Sequence, residues 1–329
     1  MTTPTHTGSL LLAEFRRLVA RRFVQLMAVL LVGACLIAMV STVASSHTPT
    51  DAELRDATRQ AADRLADDRE YYRMCSAGSR PTMPCVEPDP ADYRAEDYLY
   101  GTFVFAKEIP GLVYFVAVFL ALFGFLVGAS FIGAEMSSGG LTNLLLWRPR
   151  RGVVLGAKLG VVTAAVGVLS VVVVAGYIGA FWGVSAISGF AGDTSGTFWP
   201  DLTLLAVRSL LLVLACTVIG FSIAALGRHT AAALGVVAAY AVLWEVGLRI
   251  VLATVEASKP DLWMLTSYLA AFVDGRVTFY SSYAGCEIYS VDCSNEYVLT
   301  WVDGTLVGGA VTVAAAVAAF VLTQRRDLA

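Results

Sequence analysis

The chain has 329 residues, 57% of them apolar and 15% charged, with a mean hydropathy of +0.70 and a formal net charge of −3. A charged fraction so far below the ~25% of soluble domains excludes two or three globular domains and describes an all-α polytopic membrane protein. The 23 Lys and Arg are not gathered into a stripe that would neutralise a phosphate backbone, which excludes nucleic acid as a partner.

Residues 1–22 are expected to form a cytoplasmic interfacial helix. Leu11, Leu12, Phe15, Leu18 and Val19 fall on one face and Arg16, Arg17, Arg21 and Arg22 largely off it, the pattern of a helix lying at a membrane surface. Six apolar runs follow at 23–45, 109–134, 153–182, 202–226, 231–255 and 298–322. Each is long enough to cross a hydrocarbon layer of roughly 30 Å. Arginines before the first run and Ser41, Ala44 and Ser45 near its end resemble a secretory signal, but the run is longer than a signal core and reads as an uncleaved anchor.

Between spans one and two, residues 46–108 form a large insertion. Leu54, Ala61, Leu65 and Tyr72 recur at helical spacing among charges, so Asp51 to Arg73 is expected to be an amphipathic surface helix. Pro81, Pro84, Pro88 and Pro90 make the stretch after it irregular. Such a cap either gates a substrate, binds a partner or only steadies the bundle. Residues 135–152, 183–201 and 227–230 connect the next spans, and 323–329 form a tail. Within 256–297 the apolar stretch Leu262 to Phe272 is too short to span and is interrupted by Asp274, Gly275 and Arg276, so it reads as re-entrant or interfacial.

Short loops give the orientation, because Lys and Arg favour the cytoplasmic side. One side holds Arg16 to Arg22, then Arg148, Arg150, Arg151 and Lys158, then Arg228, then Arg325 and Arg326; 183–201 has no base, and 256–297 has only Lys259 and Arg276. Both termini are therefore expected in the cytoplasm and the insertion outside. Cysteines agree with this: Cys75 and Cys85 fall in one outer segment and Cys286 and Cys293 in another, where disulfides persist, while Cys35 and Cys216 fall within spans. Four cysteines allow three connectivities, of which the local pairs Cys75–Cys85 and Cys286–Cys293 need no distant contact; four free thiols are the alternative.

No phosphate loop, HExxH or GxSxG is present, and only His6, His47 and His229 are available, so neither nucleotide binding nor a metal-binding histidine cluster is expected. Charges at membrane depth are more informative, since they are costly and face protein or water. Arg208, Glu245, Arg249 and Asp303 fall in the outer half of spans four, five and six and are expected to form one polar cluster, either locking the bundle or lining an exit path. Gly124 and Gly128, with Gly152, Gly156 and Gly160, make small-residue faces suited to close helix packing and to a dimer.

The stretch from Gly133 to Lys158, GAEMSSGGLTNLLLWRPRRGVVLGAK, resembles the loop after the second span of ABC-2 type permeases, the membrane subunits of ATP-binding cassette exporters. In that family a Glu precedes a Gly by four residues, and a basic, Pro-containing turn leads to a Lys in the next span. Here these are Glu135, Gly139, Pro149, Arg150 or Arg151, and Lys158. The helix containing Glu14-Phe15-Arg16-Arg17, the six spans and the closing Arg325-Arg326-Asp327-Leu328 are similar too, so the resemblance covers nearly the whole chain; the large insertion departs from the smallest members.

The resemblance implies an ABC-2 permease fold in a bacterial cell membrane, in contact with membrane lipid. It implies a coupling helix from Glu135 to Trp147, with Glu135, Gly139, Gly140, Arg148, Arg150 and Arg151 facing a separate cytoplasmic ABC ATPase. ATP and Mg would bind that partner and this chain would carry no cofactor and no enzymatic activity. A second permease copy, or a homologous permease, would complete the translocation path. A membrane sensor or scaffold with an outer cap, and an intramembrane enzyme, are the competing classes.

Overall fold

The computed structural model describes residues 5–78, 85–139, 151–280 and 296–325. Among these, six helices are long and apolar enough to cross a membrane: Arg22–Ser45, Phe105–Ser137, Gly152–Ser188, Phe198–Gly227, Thr230–Thr254 and Trp301–Arg325, called spans one to six below. The chain divides into two compact units, one made of Met1–Val32, Tyr114–Val174 and Thr203–Ala329 and the other of Gly33–Val113 and Ala175–Leu202.

In the first unit, helix α1 (Thr5–Val19) precedes span one. Spans two and four approach backbone to backbone. A Cβ at Gly128 would stand 2.5 Å from the Thr217 carbonyl oxygen, and one at Gly220 would collide with the Phe125 carbonyl, so glycine permits the contact. Gly124 meets Thr217 and, from span three, Val166. Phe131, Val162, Val213 and Phe221 fill the space around this seam and are almost wholly buried. Gly156 lies against Phe320 of span six, whereas Gly160 has open space where a Cβ would stand.

Span five is not a continuous α-helix. Its middle, Ala241–Leu248, is a π-helix between α-helical Thr230–Tyr240 and Arg249–Thr254. The link from span four is short: Arg228 takes a left-handed conformation (φ 56°), and the His229 ring accepts from the Ala231 N–H at 3.0 Å to cap the next helix. After span five a short helix, α2 (Leu265–Asp274), packs on span six at Gly304, where a Cβ would lie 2.7 Å from the Phe272 Cβ. The sequence reading of a non-spanning helix at Leu262 to Phe272 corresponds to this element.

Four short strands among the described residues accompany the helices, and two of them follow α2. Arg276–Tyr280 (β1) pairs antiparallel with Glu296–Thr300 (β2), in register from Arg276 with Thr300 to Tyr280 with Glu296. Span six consequently begins at Trp301, not at Val298. Runs rich in β-branched and aromatic residues, RVTFY and EYVLT, suit a ladder, and Tyr297 and Leu299 bury one side of it.

In the second unit the helix Asp51–Ser76 (α3) starts with a capping box: the Thr50 hydroxyl accepts from the Glu53 N–H, and the Glu53 carboxylate accepts from the Thr50 N–H at 2.7 Å. Ala57, Ala61 and Cys75 form its buried stripe, with Leu54, Leu65 and Tyr72 half-buried beside them. Cys75 is disulfide-bonded to Cys85, and the Tyr93 hydroxyl donates to Asp68 at 2.6 Å. The strand Phe103–Val104 (β3) pairs in parallel with Gly189–Phe190 (β4), and Phe105, Trp182, Phe198 and Trp199 form an aromatic cluster next to it.

Candidate functional site: two sets of membrane-embedded charges

The first set gathers residues distant in sequence. Glu14 lies one helical turn before Leu18 on the buried face of α1, Glu135 stands in the last turn of span two, and Lys158 lies in the second turn of span three. Lys158 Nζ reaches Glu14 Oε2 at 2.6 Å and Glu135 Oε2 at 2.7 Å. Arg21, in the turn after α1, pairs with Glu135 Oε1 at 2.8 Å and donates to the Ser130 carbonyl at 3.0 Å. Arg17 reaches Glu14 Oε1 at 3.1 Å from an exposed position. The Lys158 and Glu14 side chains are 1% and 2% exposed. Phe131 closes the cluster, its ring centroid 4.9 Å from the Arg21 guanidinium and 5.3 Å from Lys158 Nζ. Each buried carboxylate thus has two cations, and α1 is tied to the facing ends of spans two and three.

This placement alters the reading of Glu135. It does not present a free charge, and its partners are Arg21 and Lys158. Gly139 (φ 71°) ends the span-two helix in a conformation that favours glycine. Gly140, Arg148 and Arg150 lie outside the described residues, and Arg151 begins the next helix with its side chain outside them. Glu14 and Lys158 were missed as site residues. The available signal was a lone acid on an apolar helix face and a lone base inside an apolar run, the same criterion applied to the outer halves of the spans.

The second set was expected to be one cluster, and the structure separates it. None of Arg208, Glu245, Arg249 and Asp303 is ion-paired with another of the four. The Arg208 guanidinium lies 6.0 Å from the Trp301 ring centroid and against Gly275, whose positive φ (90°) and missing Cβ leave it room. Glu245 accepts from the Tyr240 hydroxyl at 2.7 Å and from the Thr266 N–H and hydroxyl at 3.2 and 2.7 Å. Arg249 pairs with Asp261 at 3.0 Å, and Asp261 also accepts from the Tyr297 hydroxyl at 2.8 Å. Burial first and that bond second push the Tyr297 hydroxyl up to about 12. Asp303 accepts from the Thr300 N–H and hydroxyl at 2.9 and 2.8 Å, at the start of span six. The separation has a local cause: the segment between spans five and six supplies nearer partners, and the π-helix disrupts the α-helical spacing that would align Glu245 with Arg249.

Cys75 and Cys85 are bonded as one of the local pairings requires; Cys286 and Cys293 lie outside the described residues. Among the described residues no group of three His, Cys, Asp or Glu is arranged to hold a metal ion. Two cavities accompany the charges. One of about 1010 Å³ is mostly apolar and lies between α1 and spans two and three, lined by Leu12, Phe15, Val19, Val127 and Leu169. The other, about 540 Å³, lies among spans four, five and six and α2.

Six membrane-length helices and glycine-packed spans define a multi-pass membrane protein. The family model described as ABC-2 family transporter protein matches residues 9–328, and the chain belongs to that family. No curated protein and no solved structure matches it.

Proposed function

We propose that the chain is the permease subunit of an ABC exporter, forming the translocation path together with a second permease and driven by ATP hydrolysis, with Mg, in a separate cytoplasmic ATPase. The observation that carries this reading is the Glu14–Lys158–Glu135–Arg21 network, in a chain of the ABC-2 family. It gathers α1 and the two helix ends that flank residues 140–150, so a push on that loop reaches three elements held by charge rather than by a flexible hinge. In this reading the docking surface is the basic loop with Arg148, Arg150 and Arg151, and Glu135 is a positioning residue behind it. The Cys75–Cys85 disulfide supports an outer location for the insertion, with both termini cytoplasmic.

The test is co-purification with the ATPase and measurement of hydrolysis with and without the permease. Arg148→Glu with Arg150→Glu should weaken the complex and remove most of the stimulation, while leaving the permease's own melting temperature unchanged. Full stimulation by the doubly reversed loop would overturn the assignment.

A further inference from the structure

The cavity of about 540 Å³ among spans four, five and six has a size typical of small-molecule sites. Four of its residues are aromatic: Tyr240, Trp244, Trp263 and Tyr268. The polar side-chain atoms of Tyr240, Trp244 and Tyr268 are already engaged. The Trp244 indole N–H donates to the Trp263 carbonyl at 2.9 Å, the Tyr268 hydroxyl to the Leu262 carbonyl at 3.0 Å, and the Tyr240 hydroxyl to Glu245 at 2.7 Å. What these side chains still offer an occupant is apolar surface and aromatic rings.

Beside this lining stands Glu245, reached through Tyr240 and through Thr266, the neighbour of the lining residue Leu265. All three donors to its carboxylate are neutral, and among the described residues no Lys, Arg or His lies within ion-pair distance of it. The nearest candidate on its own helix, Arg249, is engaged by Asp261. Such a carboxylate in a span contrasts with Glu14 and Glu135, each of which has two cations. An acid held at membrane depth without a countercharge is costly, and such residues mark ligand or ion paths. It also sits on the π-helix, an irregularity frequent at functional sites.

We propose that this cleft binds an amphipathic cation, with its apolar body against the aromatic lining and its positive charge compensated by Glu245. Aromatic faces attract a cation through their quadrupole, and the carboxylate adds a full opposite charge in a weakly screening medium. The inference deepens the export reading by naming a substrate class and rests on that reading for the word substrate; the binding itself needs no ATPase.

The experiment uses the full chain in phosphatidylcholine nanodiscs and measures equilibrium binding of tetraphenylphosphonium, with tetraphenylborate as a probe of equal shape and opposite charge. Saturable binding of the cation is expected, with no matching saturable binding of the anion. Glu245→Gln can keep all three hydrogen bonds, since the amide oxygen accepts from Tyr240 and from the Thr266 N–H while the amide nitrogen donates to the Thr266 hydroxyl. It should melt like the parent and bind the cation at least about tenfold more weakly. Trp263→Ala, at a 60% exposed position where folding has little at stake, should weaken binding several-fold. Equal affinity for the two probes, or unchanged cation binding in either variant, overturns the proposal and makes the cleft a groove for lipid tails. Loss of this proposal with ATPase stimulation intact leaves the permease reading standing. Cation binding without any stimulated hydrolysis does the reverse.

Discussion

The two sets of charges obey different physics. Around Lys158, charges from α1 and spans two and three converge into a nearly dry network in which each carboxylate meets two cations. Near Glu245, charges at similar expected depth each settle with a different partner: a threonine, an aspartate, a tryptophan ring. The first arrangement ties elements together and the second leaves Glu245 without a countercharge. Shared depth in a membrane is therefore a poor guide to pairing: Glu245 is satisfied by Tyr240 and Thr266, while Arg249, only four positions from it, pairs with Asp261.

The sharpest way to break this comparison is Lys158→Met. It removes the one cation shared by both carboxylates, leaving Glu14 with the exposed Arg17 and Glu135 with Arg21, and should cost roughly 3–5 kcal/mol, read as a large fall in melting temperature in detergent. Adding Glu14→Gln and Glu135→Gln should recover much of the loss. If Lys158→Met is nearly neutral alone, the network does not hold the bundle.

Double-mutant cycles sharpen the contrast at smaller magnitude. Glu14→Gln and Lys158→Met should couple by about 0.5–3 kcal/mol, as expected for groups in contact. Arg208→Leu and Glu245→Gln should instead be additive within about 0.5 kcal/mol, since they share no partner. Strong coupling of Arg208 with Glu245 would restore the single cluster expected from depth alone.

The smallest effect concerns a carboxylate in neither set. The Glu53 carboxyl lies below its ordinary value of 4.5, chiefly through the Thr50 N–H and then its hydroxyl. A lowered folded-state value means the contribution is complete above the unfolded value and disappears as pH falls through the folded one. Amide exchange in the first turn of α3 should therefore accelerate, relative to its last turn, below about pH 4.5. Glu53→Ala should abolish that pH dependence, whereas Thr50→Ala, which removes the hydroxyl and keeps the N–H, should only reduce it. An unchanged profile would show that the capping box does not hold the helix end.

Sequence alone determined the membrane class, six crossings, the amphipathic α1 and the non-spanning helix after span five, and it offered Cys75–Cys85 as one of several pairings. Each rests on local pattern: run length against bilayer thickness, 3.6-residue spacing, or a short covalent loop. The family resemblance was likewise carried by a contiguous stretch, Gly133 to Lys158. Only the tertiary structure decided that Glu135 faces Lys158 and Arg21, that Glu14 completes their network, and that Arg208 and Glu245 go separate ways. It also decided that Val298 belongs to a strand and that span five winds as a π-helix beside Glu245. The physical reason is that apolar periodicity fixes which face of a helix turns inward but not which neighbour it meets. An ion pair between residues 144 positions apart depends on that neighbour, and on helix rotations set by glycine contacts such as Gly128 with Thr217.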